Sequence, residues 1–185
     1  MNLKNHFIVA MPTINDPTFS RSVVYICEHN RDGAMGIVIN KPIQDLNVAA
    51  VLTRLEITAS KNCAELEHPV FAGGPIAEEQ GFILHTPQQG FASSIKISDD
   101  VMITTSLDLL KSIGSPEQPK DMFLALGYSG WQSLQLEAEV ARNDWLVTDV
   151  DPKIIFESAI EDRWQKAAQS LGININTISH QMGNA

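Results

Sequence analysis

From residue 6 to residue 126 the sequence is a series of short apolar or β-branched runs, each cut off by proline, glycine or a polar turn. His6–Met11 stops at Pro12. Ser22–His29 is β-branched and aromatic, and runs into Asn30–Gly36 with its turn pair Asp32-Gly33. Gly36–Lys41 stops at Pro42. Such runs make strands. The second and third predict an antiparallel hairpin with a long loop. Val70–Ala72, Phe82–Thr86, Ser94–Ile97 and Val101–Thr105 extend the series, and the unbroken apolar run Met122–Leu126 suits a central strand.

Helical signals are fewer and lie mostly late. Val48, Val51, Leu52 and Leu55 have helical spacing behind Asn47 as N-cap. Ser106 heads a short helix that stops at Gly114. Ser129 and Gln132 fit a capping box, which predicts a turn at Gly127–Gly130 and then a helix of about ten residues ending near Asn143. Asp151-Pro152 opens the last helical stretch. Residues 174–185 read as a loosely ordered tail. Strands and helices do not alternate, so a doubly wound parallel sheet is not expected. The expected fold is α+β: one domain over residues 1–185, with curved, mostly antiparallel or mixed sheets flanked by helices.

Charge narrows the partners. The 185 residues carry 13 Lys and Arg against 22 Asp and Glu, a net charge of −9. An acidic domain repels a phosphate backbone and an anionic membrane surface, so direct nucleic-acid binding is disfavoured. No apolar run approaches the roughly 18 residues of a membrane span, and the start of the chain lacks the pattern of a signal peptide. Cys27 and Cys63 are the only cysteines. They read as free thiols in a cytoplasmic protein. No metal-ligand spacing and no nucleotide-binding fingerprint occurs, so no metal and no cofactor is expected. A monomer is compatible with all of this.

Several residues carry chemistry in principle. Strand period two puts Tyr25, Cys27 and His29 on one face of Ser22–His29, where an imidazole could activate the thiol. The competing reading is a packed cysteine and a structural histidine. Gly73-Gly74-Pro75 is a tight turn, or an anion cradle of backbone N–H groups. Gly127-Tyr128-Ser129-Gly130-Trp131 has the outline of a nucleophile elbow, with Asp144 or Asp149 and then His180 following in hydrolase order. Trp131 stands where that motif needs glycine, and a helix-capping Ser129 explains the same residue. Asn40 ends a strand beside Lys41 and either ties down a loop or reaches a ligand.

Taken together, the runs Phe7–Met11-Pro12, Asp16-Pro17-x-Phe19, Ser22–His29, Gly33-Ala34-Met35-Gly36, Asn40-Lys41-Pro42, Gly73-Gly74-Pro75, Gly81–His85 and Gln135-Leu136-Glu137 with Glu139 and Trp145 resemble the YqgE/AlgH family of bacterial proteins. The likeness covers nearly the whole chain and is nearest the gammaproteobacterial YqgE branch. It implies coiled sheets that close partly into a small barrel with helices outside, and a cytosolic protein. It supplies no reaction and no catalytic set, although one branch bears the name of a regulator of alginate synthesis. Gln132-Ser133-Leu134 departs from the glycines that often follow the tryptophan in that family.

The resulting expectation is a non-enzymatic binding or regulatory domain for an unknown small molecule or protein partner. Its cleft would be formed by Glu28, His29, Asn40, Gly73, Gly74 and His85. The alternative is a hydrolase-type enzyme in the same cleft. His29 or His85 would then be the base, Cys27 or Ser129 the nucleophile, and Gly73-Gly74 the oxyanion cradle.

Overall fold

A computed structural model describes residues 1–175, 177 and 178. The rest of the expected tail, and His180 with it, lies outside the described residues. The fold is α+β: a curled, mostly antiparallel sheet forms a half-barrel, and helices pack against it.

The strands are β1 (His6–Ala10), β2 (Val23–Asn30), β3 (Gly33–Val38), β4 (Pro42–Asn47), β5 (Pro69–Ala72), β6 (Ile76–His85), β7 (Ser94–Lys96), β8 (Met102–Thr104), β9 (Met122–Gln132) and β10 (Trp145–Asp149). Their order is β10-β1-β2-β3-β9-β6-β8-β7, with β4 on β5, and β5 parallel to β9. The helices are α1 (Val48–Arg54), α2 (Leu107–Lys111), α3 (Gln135–Ala141), α4 (Pro152–Phe156) and α5 (Arg163–Gln169).

The caps read from sequence hold at two helices. Asn47 accepts from the Ala50 N–H, and Asp151 accepts from the Lys153 N–H. Two other local expectations do not hold. The β2–β3 hairpin is tight: Asn30 pairs directly with Gly33, leaving only Arg31 and Asp32 in the turn. The expected turn at Gly127–Gly130 is strand. β9 runs straight through it, and Ser129 caps no helix. The reason is tertiary. The C-terminal half of β9 pairs with β3, from Gly36↔Ser129 to Gly33↔Gln132, while its N-terminal half pairs with β6 and β5. One long strand therefore joins the two halves of the curled sheet.

Both faces of the sheet are covered at β2, which explains why it is apolar from Val23 to Cys27. Tyr25 and Cys27 face a core shared with Phe7, Phe71, Phe123, Ile155 and Trp164, under α4 and α5. Val24 and Ile26 face a second core with Ile8, Trp131, Leu136 and Trp145, under α3. A third cluster lies beneath α1 and α2, built from Val51, Leu52, Ile83, Leu109 and Leu124. Glu139 closes the α3 side. One of its carboxylate oxygens accepts from the indole N–H groups of both Trp131 and Trp145, each at 2.9 Å. Among the described residues, no helix is long and apolar enough to cross a membrane.

Candidate functional site

Strand period fails at Cys27. A β-bulge shifts the β2 register between Ile26 and Glu28, so Ile26 pairs with Gly36, Glu28 with Met35 and His29 with Ala34. The bulge turns His29 to the face opposite Cys27. The expected same-face pair does not exist. Cys27 is buried, with its thiol directed at the Tyr25 carbonyl, and burial pushes that thiol far above its ordinary pKa. The result is an inert packing residue rather than a thiolate.

His29 is buried and fully occupied. Its Nδ1 accepts from the Leu3 N–H at 2.9 Å, so the proton sits on Nε2, which donates to Glu137 Oε1 at 3.0 Å. The imidazole thus ties the N-terminal segment to α3. Neighbouring Glu28 is exposed and accepts from Asn30 Nδ2. Asn40 ties a loop: its Oδ1 accepts from Val23 N–H, and its Nδ2 donates to the Arg21 carbonyl.

Gly73 and Gly74 are used by the fold. The Gly73 N–H donates to the Leu126 carbonyl, and its own carbonyl accepts from Val38 N–H and the Ser129 hydroxyl. Buried Ser129 is thereby committed to a backbone acceptor.

His85 is fully buried at the far end of β6. Its Nδ1–H donates to the Thr86 carbonyl at 2.8 Å. Its Nε2 therefore accepts from the Thr104 hydroxyl at 2.7 Å, which in turn accepts from Ser94 at 2.6 Å.

β9 serves as a ruler for these positions. His29 pairs with Ala34 in the row of Trp131, Gly73 bonds at Leu126, and His85 pairs with Met122. Those rows span about 30 Å of strand at roughly 3.3 Å per residue. The six residues are not gathered around one opening. Among the described residues, no group of three or more His, Cys, Asp or Glu is placed to hold a metal ion.

Burial holds the His85 imidazole below the ordinary histidine value. The unfolded chain therefore takes up this proton first as pH falls. The stability it contributes is complete above about pH 6.5 and declines below it, by no more than about 1.4 kcal/mol per pH unit. Urea unfolding from pH 7.5 to 5 should show that decline, and His85→Asn should flatten it. An unchanged slope in the variant would refute the assignment.

The structure offers a different opening. A cleft of about 390 Å³ lies between α1, α2 and the sheet. Val51, Leu55, Leu107 and Leu110 form its walls, Ile83, Leu124 and Leu126 its floor, and Arg54, Glu78 and Glu79 supply charge at its edge. Leu55 and Leu107 are 43% and 49% exposed. None of the six expected residues lines it. The sequence signal for it was slight: Leu55 follows Arg54 at the end of α1, and Leu107 directly follows the cap residue of α2.

Comparison with known proteins agrees with this architecture. Residues 7–176 match the model of the AlgH-like family. A UPF0301 protein of Photorhabdus laumondii is 57% identical and one of Proteus mirabilis 56%, each over the full length of both chains. The solution structure of AlgH from Pseudomonas aeruginosa superposes with a TM-score of 0.80 at 38% identity, covering 100% of this chain and 97% of that one. The crystal structure of DIP2367 from Corynebacterium diphtheriae has a TM-score of 0.67 at 18% identity, over 90% and 86% of the two chains, and shares the fold. The family model, the full-length relatives and the superposed structure agree: this chain belongs to the AlgH-like family.

Proposed function

We propose that this chain is a non-catalytic binding domain whose ligand is a small apolar molecule held in the cleft between α1 and α2. The supporting observation is the cleft itself. Its volume of about 390 Å³ falls in the range of small-molecule sites, and aliphatic side chains line it with a few charged groups at the edge. Leu55 and Leu107 stand half-exposed at its lip, where water leaves them poorly solvated and a ligand would cover them. The nucleophiles considered from sequence favour binding over hydrolysis. Cys27 is sealed in the core on the face opposite His29, and the Ser129 hydroxyl is spent on a carbonyl.

The test uses the neutral apolar fluorophore N-phenyl-1-naphthylamine. Titration into the protein should give saturable enhancement. Leu107→Asp places a carboxylate at the lip, on the first residue of α2, where folding tolerates it. This substitution should weaken binding by roughly tenfold or more, the equivalent of one leucine's burial. No saturable signal, or equal affinity in the variant, would sink the reading.

A further inference from the structure

A second cavity, of about 150 Å³, opens between the C-terminal helices and the β5–β9 end of the sheet. Its lining is mostly apolar and aromatic, including Phe71, Phe123, Ile155, Phe156 and Ile160. The polar members of the lining are exposed His68 and buried Arg163. The Arg163 side chain is only 6% exposed, and among the described residues no carboxylate pairs with it. A buried guanidinium without a counter-ion is costly, and such groups are normally paired. Burial alone lowers its pKa, to about 10, with no opposing contribution from an acid. The guanidinium remains charged at neutral pH.

Its present partners leave it incompletely satisfied. Nε donates to the Ser158 carbonyl at 3.2 Å, and Nη1 donates to the Ile39 carbonyl. The carbon of the guanidinium lies 5.2 Å from the Phe71 ring centre and 5.6 Å from that of Phe123, two rings stacked 4.2 Å apart. These contacts hold the fork in place against aromatic faces. Among the described residues, Nη2 has no hydrogen-bond partner. Among the described residues, the one side-chain polar atom both fully enclosed and unpartnered is Ser22 Oγ. Nη2 is therefore not sealed in, and Arg163 is one of the residues that line the cavity.

We propose that this cavity binds a small aromatic or branched aliphatic carboxylate, with the carboxylate on Arg163 and the apolar body against Phe71, Phe123, Phe156 and Ile160. A planar guanidinium with free N–H groups is built for a carboxylate. A cavity of about 150 Å³ with apolar walls accepts a body of benzene size. The net charge of −9 does not oppose this, because surface charge is screened beyond about 8 Å at physiological salt while the guanidinium acts at contact. The site shares only Leu124 with the lining of the α1–α2 cleft, and its test stands or falls independently of that cleft.

Sodium benzoate is the probe and benzyl alcohol its neutral counterpart, each titrated into the full chain at pH 7 by calorimetry. Benzoate should bind roughly tenfold or more tightly than benzyl alcohol, the advantage of a charge-assisted bond. Ile160→Trp fills the cavity and should abolish benzoate binding. Leu107→Asp, in the other cleft, should leave it unchanged. Arg163→Met should remove the preference for the anion. If that variant does not fold, the wild-type comparison and Ile160→Trp still decide. Equal affinity for the two probes, no saturable benzoate binding, or full binding in Ile160→Trp would overturn the proposal.

Discussion

Gly74→Ala is expected to destabilise the protein by more than about 4 kcal/mol, enough to leave much of it unfolded at room temperature. Two independent costs coincide there. Gly74 sits at φ +155°, where an L side chain is strained. A Cβ would also stand 2.2 Å from the Tyr128 carbonyl carbon and 2.4 Å from Ser129 N. Those atoms are backbone of β9, paired on one side with β3 and on the other with β6, so they have nowhere to move. Gly81→Ala is the control: its Cβ would meet only Leu124 Cδ1 at 3.7 Å, an ordinary contact. Urea denaturation of both variants measures the difference. Equal stability would show that the approach of the Gly73-Gly74 turn to β9 is looser than described.

Glu139→Ala should be the next most damaging change, at about 3 kcal/mol or more. One carboxylate oxygen accepts from two indoles that are 7% and 4% exposed, Trp131 and Trp145. Hydrogen bonds to a charged acceptor are worth roughly 1.5–3 kcal/mol each, and removing the acceptor strands two buried N–H donors together. The rings also pack edge to face at 6.1 Å, with Phe19 5.7 Å from Trp145, so their orientation depends on the same acceptor. The other oxygen of Glu139 accepts from Gln135 Nε2, within α3 itself. Loss of near-ultraviolet circular dichroism together with the stability drop would mark loosened indoles. A drop below about 1 kcal/mol would mean that water replaces the carboxylate.

The family, the α+β class and the curled sheet were legible in the chain, as were the local signals that depend on one or two residues. Asn47 and Asp151-Pro152 cap their helices because a short polar side chain before an apolar stripe has few other uses. The failures share a cause: a residue type with two uses was assigned the local one. Gly127 and Gly130 read as a turn. In the structure they are the slim part of a continuous strand, where a Cβ on Gly127 would lie 2.4 Å from the Gly74 carbonyl oxygen and one on Gly130 would lie 2.9 Å from Ile76 Cδ1. The bulge at Cys27 leaves no mark in composition, yet it reverses the face of His29 and dissolves the thiol–imidazole pair.

The candidate site was the least legible part. His29, Asn40 and His85 attracted attention as polar residues among apolar ones, but each is satisfied by backbone or neighbouring side chains. Leu55 and Leu107 looked like ordinary helix positions. They form a lip only because α1 and α2, distant in sequence, settle side by side on β6 and β9. Arg163 was not legible as a site residue because an arginine at the start of a helix normally faces water.

The most direct test of the binding account is amide and methyl chemical-shift mapping of the protein on titration with N-phenyl-1-naphthylamine. The account predicts that saturable shifts concentrate at Leu55, Ile83, Leu107, Leu110 and Leu126, the walls and floor of the α1–α2 cleft. Shifts centred instead on Glu28, His29, Asn40, Gly73, Gly74 and His85, or no saturable shifts at all, would contradict it.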